Sequence, residues 1–230
     1  MGVDQFAPVV IGLGLALLIA FVVLATVLGI RHERRRRAAL RDWAHRNEWR
    51  YVEAPRVDWM SRLPGTSQRR VTLALTGVLD GREVTVADYS YTRTSTSTTT
   101  GGDGRSQTST SSTTHHLVVV VVTLPEPGPT LAVERRGGLS KLGRAIFGDK
   151  PAALGDERFD SKFRLTGPDP DTIRRYVGPS LAAEHIAGRV PPWSLYGRQL
   201  LTYYEARLDD AERILALAQP LVRVAHLLGR

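Results

Sequence analysis

The chain of 230 residues contains no cysteine, which excludes disulfides and thiolate metal sites and suits a reducing compartment. Lysine is nearly missing too. Lys141, Lys150 and Lys162 are the only three among 31 basic residues, so arginine carries the formal charge of +8. No phosphate-binding glycine motif, nucleophile elbow or zincin signature occurs, which removes the sequence basis for those enzyme classes. Charge is also absent from the first thirty residues except at Asp4.

What fills that uncharged stretch is an apolar run, Val9 to Ile30, followed directly by Arg31-His32-Glu33-Arg34-Arg35-Arg36-Arg37. At about 1.5 Å per residue the run reaches roughly 33 Å, against about 30 Å for a hydrocarbon core. The expectation is a transmembrane helix flanked by the basic residues Arg31, Arg34, Arg35, Arg36 and Arg37. The positive-inside bias then puts the N-terminus outside and the rest in the cytoplasm, a single-pass protein of the cell membrane. A cleaved signal peptide fits less well, because it needs a basic n-region and a shorter core. Anionic lipid is the nearest partner for the arginines, at about 1 kcal/mol each, and this draws the reading of the charge away from nucleic acid.

Glu33 to Trp49 reads as a helix continuing from the anchor, with Leu40, Trp43, Ala44 and Asn47 on one face. Trp43 and Trp49 suit either an interfacial belt or packing on the domain that follows, and the strand-like Arg50 to Val52 favours packing. Arg70 to Ala74 and Val84 to Tyr91 read as strands around the Asp80-Gly81 turn. The valine run Leu117 to Leu124 is apolar enough for a strand covered on both faces, ended by Pro125, Pro127 and Pro129. Leu131 to Arg135 and Phe159 to Thr166 read as further strands. Asp169-Pro170 opens a helix, Gly178-Pro179 breaks it, and a second covers Ser180 to Ala187. Trp193 to Tyr204 reads as two short strands around Gly197. A final helix starts near Asp209, with Glu212 in a capping box, Leu208, Ala211, Leu215, Ala218 and Val222 as its buried stripe, and a kink at Pro220.

Early strands and late helices indicate an α+β fold: an N-terminal transmembrane helix, then a cytoplasmic domain with a mainly antiparallel sheet packed against helices. The expected divisions are 1–30 for tail and span, 31–49 for a basic juxtamembrane helix, and 50–230 for the domain. Within it, Thr92 to His116 is a Ser/Thr tract that reads either as a disordered loop or as a hairpin. It is roughly symmetric about Gly101-Gly102-Asp103-Gly104, so the flanking strands can pair outward from the base and fray toward the glycines. Its hydroxyls are also candidates for phosphorylation.

Three further segments bear on function. Leu139, Lys141, Leu142, Arg144, Ile146 and Phe147 have the make-up of a short interfacial helix, a candidate membrane foot, or alternatively of a helix packed on the sheet. Asp156, Glu157 and Asp160 form an acidic cluster in a loop, which supports either turn capping or metal or acid–base chemistry. His115-His116 cannot chelate one metal simply, because neighbouring strand residues point to opposite faces. No cofactor and no metal site are expected.

The opening Leu40-x-x-Trp43-Ala44-x-Arg46-x-x-Trp49-x-Tyr51, with Phe159-Asp160-x-x-Phe163 and Trp193-Ser194-Leu195 before the last helix, resembles uncharacterised actinobacterial single-pass membrane proteins. The resemblance implies a shared fold and a cell-membrane location, and carries no activity. The functional expectation is a membrane-anchored, non-enzymatic interaction or accessory module with an unidentified protein partner. The alternative is a tethered hydrolase with its site near Asp156 to Asp160.

Overall fold

The structure, a computed structural model, describes residues 7–100, 106–136 and 152–229, without the side chains of residues 7–17, 100 and 107. The chain forms two compact units, Met1–Trp43 and Ala44–Arg230. Helix α1, Ala7–Arg46, makes up the first unit and the start of the second. Among the described residues no helix is long and apolar enough to cross a membrane. The transmembrane helix expected as part of the fold is corrected accordingly to a long helix, apolar and then basic.

In the second unit α1 ends with Glu48 in the left-handed region (φ 61°) and the Trp49 amide donating to the Ala44 carbonyl at 2.7 Å. Strand β1, Arg50–Glu53, then pairs with β2, Ser67–Leu79, which turns into β3, Arg82–Thr100. Asp80 and Gly81 both have positive φ, 50° and 75°, as a two-residue hairpin turn of matching twist requires. Beside β1, Gly77 of β2 has no Cβ, and the Trp49 ring fills the space one would occupy.

Strand β4, Ser106–Arg135, is the backbone of the six-stranded antiparallel sheet. One side pairs with β3 from Thr100↔Ser106 to Val84↔Val122, and further along with β5, Phe163–Thr166. Its other side pairs with β6, Trp193–Tyr204, from Val118↔Tyr204 to Val133↔Trp193. The prolines therefore do not end the strand, contrary to expectation. They fall where β3 has finished and where the β6 register shifts between Thr123 and Leu131, so no ladder N–H is lost. Gly197, with φ 56°, likewise bends β6 without dividing it.

Alternation along β4 builds two buried faces. Leu117, Val119 and Val121 join Ala87, Tyr89, Val71 and Leu201 under Trp59 and Leu63, at the start and end of a 3-10 turn between β1 and β2. Val118, Val120 and Val122 turn to the opposite face and are fully buried.

Helix α5, Arg213–Leu227, touches β2, β3, β4 and β6. Its buried residues are Ile214, Ala218, Leu221, Val222, Val224 and Ala225, while Leu215 of the expected stripe is 38% exposed. The helix starts at Arg213, later than expected, and Glu212 caps nothing with its side chain. Ala218 and Val222 of the expected stripe are buried. Before it come a single turn α2, Glu157–Asp160, then α3, Pro170–Tyr176, and α4, Pro179–Ile186. Asp169 caps α3, accepting from the Thr172 amide at 2.8 Å. The Tyr204 hydroxyl donates to the Leu217 carbonyl at 3.1 Å and Gln219 donates to Asp80 at 2.8 Å, which fixes α5 to the sheet and its hairpin.

Candidate functional site

Of the five flanking arginines, Arg31, Arg34 and Arg35 are exposed on α1. Arg36 is buried, and its Nε and Nη2 donate to Glu33 at 3.0 and 2.9 Å. Arg37 Nε donates to the same carboxylate at 2.7 Å. Glu33 thus offsets part of the charge that reads from sequence as a uniform basic block. The candidate foot, Leu139, Lys141, Leu142, Arg144, Ile146 and Phe147, lies outside the described residues.

The acidic cluster is engaged with backbone. Asp156 Oδ1 accepts from the amides of Arg158 and Phe159 at 2.9 and 3.3 Å, capping α2. Asp160 accepts from the amides of Leu154 and Gly155, both at 2.9 Å. Both carboxylates do turn-forming work typical of Asp. Among the described residues no group of three or more His, Asp or Glu could hold a metal ion.

The Ser/Thr tract is paired as a ribbon from its base to Thr100↔Ser106. Hydroxyls meet across it at Thr94–Ser112 (3.2 Å), Ser97–Ser109 (2.9 Å) and Thr98–Thr108 (3.3 Å). This ladder replaces the apolar contacts that the ribbon lacks.

At the ribbon's base lies a cleft of about 370 Å³ whose walls come from three separate parts of the chain. The Pro64–Ser67 loop forms one side, the first ribbon residues another, and Tyr203 with Glu205 of β6 and its exit the third. Tyr91 and His115, opposite each other in register, stack with centroids 4.9 Å apart and planes at 12°. Gly65, at φ 96°, lies directly against the Tyr91 ring, where a Cβ would collide with it. Burial pushes the Tyr91 phenol above its ordinary pKa, and the nearby Glu205 carboxylate adds to the rise. Arg93 and Glu205, both exposed, set opposite charges at the mouth. One aromatic floor, Thr66 and Ser67 of the loop, and a charge of each sign can grip a polar segment from several sides. The sequence offered only weak signs of it, because Gly65, Tyr91, His115 and Glu205 are far apart along the chain.

Beneath the cleft, the Tyr89 hydroxyl donates to the Pro64 carbonyl at 2.7 Å and accepts from Arg69 Nε at 3.0 Å, holding the loop in place. Further along, the buried Arg62 Nη2 donates to the Ser194 carbonyl (2.7 Å), Ser194 Oγ (2.8 Å) and the Gln199 carbonyl (3.2 Å). Burial lowers its pKa to about 10, with Asp58 opposing the shift. Gln199 in turn donates to both oxygens of Asp58 at 2.9 and 3.0 Å. Arg62 therefore ties the loop to β6 by neutral acceptors, relayed to a carboxylate. On the helical side, Glu184 bridges Arg189 and Arg223 at 2.8 Å each, and those hydrogen bonds hold its carboxyl near 2. Its neighbour His185 is buried among Phe159, Phe163 and Trp193, and accepts from Trp193 Nε1 at 3.0 Å.

No protein-family model matches the chain, and no curated protein is similar to it in sequence. A solved structure is similar: the crystal structure of the mycobacterial trehalose monomycolate transport factor A. The TM-score is 0.51, over 85% of this chain and 95% of that one, at 13% sequence identity. At that identity the likeness speaks for the fold alone.

Proposed function

We propose that this chain is a non-enzymatic accessory module that holds a segment of a protein partner in the cleft between Gly65, Tyr91 and Glu205. The supporting observation is the composition of that cleft: an aromatic pair locked from behind by a glycine, with Arg93 and Glu205 facing outward at its mouth. Tyrosine and arginine are the side chains that binding surfaces favour, since each combines area with directed polarity. The hydrolase alternative draws no support from Asp156 and Asp160, whose carboxylates are occupied by backbone amides. A fold shared with a mycobacterial transport factor agrees with an auxiliary task.

As part of the same proposal, the module works at the cytoplasmic face of the cell membrane. Exposed Arg31, Arg34 and Arg35 supply attraction to anionic lipid, about 1 kcal/mol per side chain. The test is affinity capture with the full chain, alongside Arg93→Glu with Glu205→Arg. A specific partner recovered by the natural chain and reduced at least tenfold by the charge swap, at unchanged thermal midpoint, supports the proposal. Recovery of no specific partner, or of one indifferent to the swap, defeats it.

A further inference from the structure

Strand β4 is paired on its β3 side along the whole ribbon, but β6 joins its other side only from Val118 onward. From Thr108 to Leu117 that second edge has no strand partner among the described residues. Proteins normally guard such an edge with lysine, proline, an inward charge or a bulge. Thr108-Ser109-Thr110-Ser111-Ser112-Thr113-Thr114-His115-His116-Leu117 has no proline and no Lys, Arg, Asp or Glu, and its pairing with β3 shows no register shift. The outer edge of β3, by contrast, carries Arg93.

We propose that this edge of β4 pairs antiparallel with the same edge of a second copy of the chain. A two-stranded ribbon is marginal in water, and three or more strands are needed for stability, so joining two ribbons gives a four-stranded sheet. The occupant follows from self-complementarity. A two-fold axis at Ser112 sets Ser112 opposite itself, Ser111 opposite Thr113 and Thr110 opposite Thr114, so every central rung joins hydroxyl to hydroxyl. That pairing already exists within the chain, where Thr94–Ser112, Ser97–Ser109 and Thr98–Thr108 meet at 3.2, 2.9 and 3.3 Å. This inference does not rest on the proposed cleft function; His115 belongs to both the edge and the cleft wall, whereas Ser112 and Ser95, the positions tested, lie outside the cleft.

The absence of cysteine makes the test clean, because one introduced thiol can form a disulfide only between copies. The purified full chain is expected to sediment as a dimer at micromolar concentration. Ser112→Cys should cross-link under mild oxidation, since the facing Cα atoms lie within the 4.4–6.8 Å that a disulfide spans. Ser95→Cys, on the far strand of the ribbon, should not. Ser112→Lys places like charges directly opposite each other and should weaken the dimer at least tenfold, while Ser95→Lys leaves it intact. Circular dichroism of the exposed-site variants checks that the sheet is preserved. A monomeric natural chain, a dimer indifferent to Ser112→Lys, or equal cross-linking through Ser95→Cys overturns the proposal.

Discussion

The indole of Trp49 lies over Gly77, in the volume that a side chain at position 77 would fill. The contact joins the chain just beyond α1 to the second strand of the sheet, and it depends on a missing methyl group. Gly77→Ala is expected to expel the ring and destabilise the domain by about 1–3 kcal/mol, the range for overpacking. Urea denaturation gives the value, and Trp49→Ala should cost at least as much through lost burial.

Gly65 meets two demands at once, a φ of 96° and contact with the Tyr91 ring. Gly65→Ala should therefore both strain the loop and unseat Tyr91 from His115, lowering stability by about 2–3 kcal/mol. The His115 proton resonances, ring-current shifted by the stack, should move toward random-coil positions. An unchanged His115 spectrum would disconnect the loop from the stack.

Arg62 is the buried charge on which the loop between β1 and β2 depends. Arg62→Ala leaves the acceptors of Ser194 and Gln199 unsatisfied and should cost about 3–5 kcal/mol. Arg62→Met, which fills the volume without the charge, should cost less. The order of the two urea midpoints decides whether the guanidinium acts chiefly by packing or by hydrogen bonding.

Stability should fall in two acid windows. Burial lowers the His185 pKa from 6.5 to about 4, so between those values the unfolded chain takes up the proton and the folded one does not. Stability is complete above about pH 6.5 and is lost toward pH 4, at no more than about 1.4 kcal/mol per pH unit. Glu184 is held near 2 by Arg189 and Arg223, so its contribution is present above 4.5 and is lost as pH falls toward 2. Urea midpoints at pH 7, 5.5, 4 and 2.5 should decline for the natural chain. His185→Phe should flatten the upper window, and Glu184→Gln the lower.

Removal of the ribbon should leave the core intact. Replacing Arg93 to Thr113 by Asn-Gly shortens the hairpin beyond Thr92 and Thr114, and the deleted side chains described there are exposed. The thermal midpoint at dilution should change by only a few degrees. A large loss would mean that the ribbon supports the sheet.

Local signals were legible wherever one residue type had a single physical use. Asp80-Gly81 made its turn, Asp169-Pro170 opened its helix, and the valines of β4 marked a strand buried on both faces. The errors came from context. Three prolines looked like a terminus because sequence does not show that the neighbouring strands withdraw at that point. The apolar run from Val9 looked like a membrane span, whereas among the described residues no helix is long and apolar enough to cross one. Glu33 was lost among arginines although it lies three and four positions before Arg36 and Arg37, spacing that pairs charges on a helix. The cleft was invisible for a different reason. Its parts meet only when β6 returns to β4, and no local pattern encodes that meeting.

That late return also sets an order of assembly on the ribosome. β2, β3 and β4 follow one another and can fold as they emerge, but β6 comes only after β5 and the short helices α2, α3 and α4 have been made. Until then the valine-rich edge of β4 from Val118 to Val122 stays uncovered on the side that β6 will take. A nascent chain halted before Gln199 thus presents a bare, valine-rich strand edge, which makes translation speed across that interval a determinant of yield.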